Sequence, residues 1–224
     1  MAANPFPDFS LETAGAGLVC GIDEVGRAPL AGPVTASCVL IPDNLYDHPI
    51  WKVVTDSKSI ARPKRARLSE DIKPLVYYGI GWVSEREIEQ INIHYASLLA
   101  MKYAFEDMIA RFSIMPDLAL IDGKHCPSLP CNSQAIIKGD SKSKSIAAAS
   151  IIAKVARDNY MEELDQKHPL YGWHRNAGYP SKEHIEALVT HGPTIHHRRT
   201  FARVREFFED KSDNKQKLVS VAAQ

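Results

Sequence analysis

The segment Gly21-Ile22-Asp23-Glu24-Val25-Gly26-Arg27 sets two adjacent carboxylates at the end of an apolar run. That run, Gly17-Leu18-Val19-Cys20-Gly21-Ile22, reads as a short buried strand closed by turn residues. Acids at the end of a buried strand are costly unless something cationic neutralises them. A divalent ion such as Mg²⁺ does this, taking carboxylate oxygens while keeping several waters. Alone, an Asp-Glu pair reads more simply as a solvated turn. Two further acids change that weighing. Asp122 ends the run Leu118-Ala119-Leu120-Ile121 and precedes Gly123, and Asp140 ends the run Ala135-Ile136-Ile137-Lys138-Gly139. In open α/β sheets, ligands sit beyond the carboxyl ends of strands. If the three strands are neighbours, Asp23, Glu24, Asp122 and Asp140 converge. Like charges so placed repel, so the cluster calls for bound cations.

The elements needed to carry these acids are legible in outline. Strands are expected near 17–23, 33–41, 74–83, 118–121 and 134–137. Pro63 suits the first turn of a helix over 62–73. Residues 85–113 hold helical spacing, with Ile88, Ile91, Tyr95, Leu98, Leu99, Lys102, Phe105 and Met108 on one face. A helix over 143–165 carries small residues, Ala147 to Ser150, that permit close packing on a sheet. Ser181 caps another over 181–190. Strands, a helix pair, then strand, strand and helix make an α/β layer pattern. The expected organisation is a loose arm over 1–15, one catalytic domain with a C-terminal helical region over 16–208, and a disordered polar tail over 209–224.

Composition bounds the rest. The 224 residues hold 27 Lys+Arg against 27 Asp+Glu, so net charge argues against a uniformly basic nucleic-acid binder but not against a basic groove. Positive residues do cluster: Lys52, Lys58, Arg62, Lys64, Arg65 and Arg67; Lys138, Lys142, Lys144 and Lys154; Arg198, Arg199, Arg203 and Arg205. Beside an acidic metal centre such groups suit phosphate contacts. The run His196-His197-Arg198-Arg199 reads as solvated or phosphate-facing rather than as a metal site, because adjacent side chains point apart. Cys20, Cys38, Cys126 and Cys131 show no zinc spacing, and the first two read as reduced core thiols. The N-terminal segment reads as no signal peptide, and no apolar stretch reaches membrane-spanning length, so a cytoplasmic protein is expected.

With these segments in view, the chain resembles the bacterial type 2 ribonucleases H (ribonuclease HII). The matching pieces are Gly21 to Arg27 with Pro29-Leu30-Ala31-Gly32-Pro33-Val34, Asp56-Ser57-Lys58, Leu120 to Gly123, Lys138-Gly139-Asp140, Ser145 to Asp158, Gly178-Tyr179-Pro180 and His197-Arg198. They run in the family's order over roughly 17 to 205. The resemblance implies a ribonuclease H-like fold, a five-stranded mixed sheet flanked by helices. It also implies an endonuclease that hydrolyses the RNA strand of RNA–DNA hybrids and incises at single ribonucleotides in duplex DNA. The implied products carry 3′-hydroxyl and 5′-phosphate ends. Two Mg²⁺ or Mn²⁺ ions are implied as cofactors on Asp23, Glu24, Asp122 and Asp140, with a nucleic-acid duplex as partner and a monomeric enzyme. Asp158 reads as support rather than as a ligand.

For the substrate, the resemblance assigns the 2′-hydroxyl to the backbone of Gly26, Arg27 and Ala28, and a stacking role to Tyr179; Lys58 suits a backbone phosphate. One departure stands out. The family reads Gly-Arg-Gly where this chain has Gly26-Arg27-Ala28. A Cβ at Ala28 is strained if the position needs positive φ and tolerated if it does not. Two rivals remain at this level: another two-metal nuclease of the same broad fold, and a nucleic-acid-binding module without catalysis.

Overall fold

The computed structural model describes residues 6–15 and 17–209. Of the expected tail, only Glu209 falls among them; residues 1–5 of the expected arm also lie outside. The helices are α1 (Ser10–Ala14), α2 (Arg62–Ile72), α3 (Glu85–Phe112), α4 (Lys144–Lys167), α5 (Trp173–Asn176), α6 (Lys182–His191) and α7 (Ala202–Arg205). The strands are β1 (Val19–Val25), β2 (Val34–Leu40), β3 (Tyr77–Val83), β4 (Leu118–Asp122) and β5 (Asn132–Ile136), in sheet order β3-β2-β1-β4-β5. β1 runs antiparallel to β2 and parallel to β4, and β4 runs parallel to β5. The expected five-stranded mixed sheet with flanking helices is the one observed.

The chain divides into two compact units. One comprises the described residues up to Val25 with Thr35–Trp82 and Ser97–Ala156; the other comprises Gly26–Val34, Val83–Ala96 and the described residues from Arg157 onward.

In the first unit, strand alternation sorts the helices onto two faces. Val39 packs with Leu68 and Ile72 of α2, and with Ala147 to Ala149, Ile151 and Ile152 of α4. Cys38, one residue earlier, lies 3.7 Å by sulfur from Met108 of α3. The small residues of α4 work as expected. A Cβ built on Gly21 would sit 2.3 Å from the Ile146 nitrogen, so only glycine lets the start of α4 lie directly on the central strand. That close approach is made two residues before Asp23.

The N-terminal arm is not loose where it is described. Glu12 of α1 is 3% exposed, and its Oε1 accepts from Ser143 Oγ (2.6 Å), Ser145 N (2.8 Å) and Ser145 Oγ (2.7 Å). Ser143 Oγ in turn accepts from Ile146 N at 3.1 Å, the geometry of an N-cap. A carboxylate at this helix N-terminus meets orphan N–H groups and the favourable end of the helix dipole.

α3 also departs from expectation. Its helical spacing continues through 85–113, but Asn92 breaks the backbone at φ 63°, ψ 165°. Asn92 Oδ1 accepts from His94 N and Tyr95 N at 2.9 and 3.3 Å, restarting the helix with a fresh cap. Asparagine tolerates positive φ and caps well, so periodicity survives while the helix does not. The second unit has its own core, in which Leu30, Met161, Leu164, Tyr171, Trp173, Ile185, Leu188 and Val204 pack together. No helix among the described residues is long and apolar enough to cross a membrane.

Candidate metal centre and substrate-facing segments

The acidic centre lies wholly within the first unit. Ile22 of β1 is the last residue in register with β4, opposite Ile121, so Asp23 and Asp122 lie side by side where the β1–β4 pairing ends, while still paired to Ser37 of β2 and Ile136 of β5. Both follow residues on the α4 face by two, Gly21 and Leu120, so their side chains share that face. Strict alternation would send Glu24 to the other face. At the strand end its carboxylate nonetheless lies with the other two: one oxygen each from Asp23, Glu24 and Asp122 fall within 4.8 Å of one another.

Asp140 arrives by a different route. β5 ends at Ile136, and Lys138 turns the chain in the left-handed region (φ 56°, ψ 48°) into a short 3-10 turn over Gly139–Ser141. The turn is fastened to the cluster, because Gly139 N donates to Asp122 Oδ1 at 2.6 Å. Asp140 is not one of the three groups within 4.8 Å, but its charge acts on Asp23, and that of Asp122 acts on it.

Electrostatics records the strain of this arrangement. Burial, then the charges of Glu24, Asp122 and Asp140, holds the Asp23 carboxyl well above the usual carboxylate range. Asp140 is also raised, by burial and by Asp122 and Asp56, with Lys58 opposing. Lys58 is exposed in the 3-10 turn Ser57–Ser59, where Asp56 Oδ1 caps its N–H at 2.9 Å. Buried acids that raise one another's pKa relieve the repulsion by taking up protons or cations. The donors here are carboxylate oxygens with no thiolate or imidazole among them, the set that suits Mg²⁺ or Mn²⁺. The residues therefore fit a hard divalent cation.

The other expected residues belong to the second unit. Gly26 takes φ +92°, and a Cβ there would meet Arg157 Nε at 2.3 Å. Ala28 is not among the positive-φ residues, so its methyl carries no backbone strain. Arg27 and Ala28 are exposed. Their loop is braced from beneath by two buried arginines. Arg198 donates from Nη2 to Gly26 O (2.6 Å), from Nη1 to Arg27 O (3.0 Å) and from Nε to Gly32 O (2.8 Å). Arg157 donates to Pro33 O, Ala31 O and Ala177 O at 2.9, 3.0 and 2.9 Å. Leu30 N donates to Gly178 O at 2.8 Å, joining this loop to the segment that carries Tyr179, whose side chain is 37% exposed.

These contacts revise the reading of the basic clusters. Arg198 is fully buried and serves backbone carbonyls; burial lowers its pKa to about 9 and that of Arg157 to about 10. Arg65 is likewise buried, donating to Ser57 O and Ile60 O, and Lys144 donates to Val54 O at 2.9 Å. The members of these clusters exposed enough to meet phosphate are Lys52, Lys58, Lys64, Arg67, Lys138, Lys142, Arg199, Arg203 and Arg205. Nor is the His196-to-Arg199 run solvated throughout: His197 is 1% exposed. Strand-like alternation fails there, because the neighbours His197 and Arg198 are both buried and both polar, which composition does not announce. Asp158 is buried on α4 in the second unit.

Sequence reasoning missed Glu12, Arg157 and the histidine pair described below. The Arg157 signal was present in the apolar residues Ile151, Ile152, Ala153 and Val155 of a buried helix, where a nearby arginine that turns inward must find carbonyls or acids.

Comparison with known proteins identifies the family. The family model for ribonuclease HII matches residues 20–209. The ribonuclease HII of Granulibacter bethesdensis is 47% identical over 202 residues, covering 89% of this chain and 90% of that protein. That of Rhodospirillum rubrum is 49% identical over 202 residues, covering 89% and 91%. Among solved structures, ribonuclease H2 from Pyrococcus horikoshii OT3 gives a TM-score of 0.68 at 25% identity, covering 90% of this chain and 99% of that one. Bst-RNase HIII in complex with Mn²⁺ gives a TM-score of 0.69 at 19% identity, covering 94% and 72%, a likeness of fold.

Proposed function

Since the chain belongs to the ribonuclease HII family, and so is a ribonuclease H and a metal-dependent hydrolase, we propose that it incises the RNA strand of RNA–DNA hybrids and also cuts at single ribonucleotides within duplex DNA. The observation that carries the reading is the carboxylate cluster of Asp23, Glu24 and Asp122 at the carboxyl ends of two parallel strands, with Asp140 tethered beside it.

In this reading Asp23 and Asp122 would hold a divalent ion, Glu24 would reach a metal or its water, and Asp140 would complete a second position. When bound, two divalent ions would supply the attacking hydroxide and offset charge on the leaving oxygen of an in-line displacement. The chain then needs no side-chain nucleophile. Its own work is to keep four carboxylates converged and ionised, and the Gly139 N–H fixes one oxygen of Asp122 for that purpose. The ends left would be a 3′-hydroxyl and a 5′-phosphate.

Gly26, Arg27 and Ala28 are the proposed readers of the 2′-hydroxyl, in a loop whose carbonyls are engaged by Arg198 and Arg157 and whose Arg27 and Ala28 are exposed. Tyr179 is proposed to stack on the sugar following the ribonucleotide. Lys58 is proposed to meet a backbone phosphate, and the functional setting is removal of ribonucleotides from DNA in the cytoplasm by a monomeric enzyme. The catalytic domain is proposed to span 16–208.

The test is cleavage of a duplex with one embedded ribonucleotide, beside a hybrid with a long RNA tract, in Mg²⁺, Mn²⁺ or EDTA. Incision of both in metal and of neither in EDTA is expected. Cleavage of the tract without the single-ribonucleotide duplex would overturn the finer reading, and metal-dependent binding without cleavage would overturn the enzyme.

A further inference from the structure

A buried histidine pair lies directly behind Tyr179 in the second unit. His184 of α6 is fully buried and His197 is 1% exposed, and their Nε2 atoms lie 3.0 Å apart. The hydrogen bonds around them dictate both tautomers. Tyr179 O lies 2.9 Å from His184 Nδ1, and a carbonyl only accepts, so Nδ1 carries the proton. His184 Nε2 is then a bare acceptor, which also receives the Trp173 indole N–H at 3.2 Å. On His197, Nδ1 accepts from Thr194 N at 2.9 Å, so its proton sits on Nε2 and points at His184. One chain of donors thus runs from the Thr194 amide through His197 and His184 to the Tyr179 carbonyl. A proton added at either bare nitrogen would face another N–H. Accordingly burial, then the neighbouring histidines, presses His197 down to about 3, and His184 is also lowered. The same carbonyl accepts from Ser181 N at 2.8 Å, and Trp173 stacks on Tyr171 beneath the pair at 5.2 Å between centroids.

We propose that the His184–His197 pair is a positioning device for Tyr179: it fixes the backbone of a residue whose ring is exposed, and so helps set discrimination for single ribonucleotides over long RNA tracts. This rests on the stacking role proposed for Tyr179. The backbone around Tyr179 needs such a restraint, because Ala177 and Gly178 both adopt left-handed φ (48° and 82°) and Pro180 follows. A side chain that large on so short a turn swings widely with small changes in ψ. The histidine bond pins the peptide that the ring hangs from, without touching substrate.

The experiment compares the ratio of kcat/KM on a single-ribonucleotide duplex to that on a long hybrid. Tyr179→Ala should lower it about ten- to a hundredfold, the scale of one lost stacking contact. His184→Ala should lower it roughly three- to tenfold, the scale of one positioning hydrogen bond. His184→Asn, whose amide falls near Nδ1, should recover most of that, and His184→Ala should add nothing in a Tyr179→Ala background. An unchanged ratio in His184→Ala beside a reduced one in Tyr179→Ala overturns this proposal alone, as does an equal further drop in the double variant. An unchanged ratio in Tyr179→Ala overturns the stacking role and this proposal with it. Should His184→Ala not fold, ¹⁵N spectra of the wild-type protein decide: Nδ1–H on His184 with Nε2–H on His197 is expected, and any other tautomer pair refutes the relay.

Discussion

Replacing Asp23 with asparagine should invert its effect on stability according to whether metal is present. Asp23 is 8% exposed, and its oxygen lies within 4.8 Å of those of Glu24 and Asp122. At that separation, with an effective dielectric near 20, each like-charged pair costs about 3 kcal/mol. Part of this is already relieved, because Asp23 takes up a proton more readily than a free carboxyl. Asp23→Asn is therefore expected to be more stable than wild type in EDTA by roughly 1–3 kcal/mol. The pH sign follows. A raised pKa in the folded state means that folding retains a proton which the unfolded chain releases, so this stabilisation is complete below the ordinary value of 3.8 and is lost as pH rises through the folded pKa. Wild type in EDTA should weaken over that rise more than Asp23→Asn, which keeps only the smaller contribution of Asp140. In saturating Mn²⁺ the order reverses. Binding at about a hundred times Kd adds about 2.7 kcal/mol to wild type, and the variant, short one ligand and one charge, gains little. The assay is urea unfolding in EDTA and in Mn²⁺, with hybrid cleavage measured in parallel. A variant less stable than wild type in EDTA would refute the claim of stored repulsion. Wild-type turnover in the variant would refute the metal assignment.

Binding to hybrid duplex should weaken steeply with salt despite zero net charge, and Lys58→Ala should flatten the slope of log K against log salt by about one, equally for all sequences; a salt-independent affinity would reduce the exposed lysines and arginines to solvated surface. Ala28→Gly should leave the substrate ratio within about twofold of wild type, because Ala28 has no positive φ to relieve; a marked rise in single-ribonucleotide cleavage would show that the methyl crowds the sugar. Glu12→Ala should cost about 1–3 kcal/mol in urea unfolding, since it strands the buried Ser143 and Ser145 donors, and an unchanged midpoint would make the arm dispensable. Below about pH 6.5 the unfolded chain protonates His197 while the folded one resists until about 3, so wild-type stability should fall with pH across that window more steeply than that of His197→Gln; parallel curves would contradict a neutral buried pair.

The sheet and its acids were legible because each obeys a local rule. Apolar runs ending in Asp23 and Asp122 mark strands whose carboxyl ends carry polar residues, and parallel pairing of β1 with β4 then makes the two acids neighbours. Asp140 was legible as an acid after a strand, but its tether to Asp122 through Gly139 depends on a left-handed Lys138 that no composition rule demands. Periodicity ran straight through Asn92, since a cap that restarts a helix in phase leaves the apolar face unbroken. The basic clusters misled for a related reason: charge on a sequence does not say which way a side chain points. Arg65, Lys144 and Arg198 turn inward to satisfy backbone carbonyls of loops.

That inward turn bears on function. A loop offering its amides to a 2′-hydroxyl must have its carbonyls engaged elsewhere, or water and neighbouring groups will bend it. Guanidinium groups suit the task because each presents several donors in a rigid fork, and here two of them take six carbonyls among residues 26–33 and 177. The Tyr179 peptide is held by the same logic with imidazoles in place of guanidiniums, and there neutrality matters, because two like charges 3.0 Å apart would not stay together. The first unit concentrates negative charge for metal, and the second uses buried bases to fix backbone. On the substrate-reading roles proposed for this loop and for Tyr179, selectivity should respond to the buried arginines and histidines as well as to the exposed residues they hold.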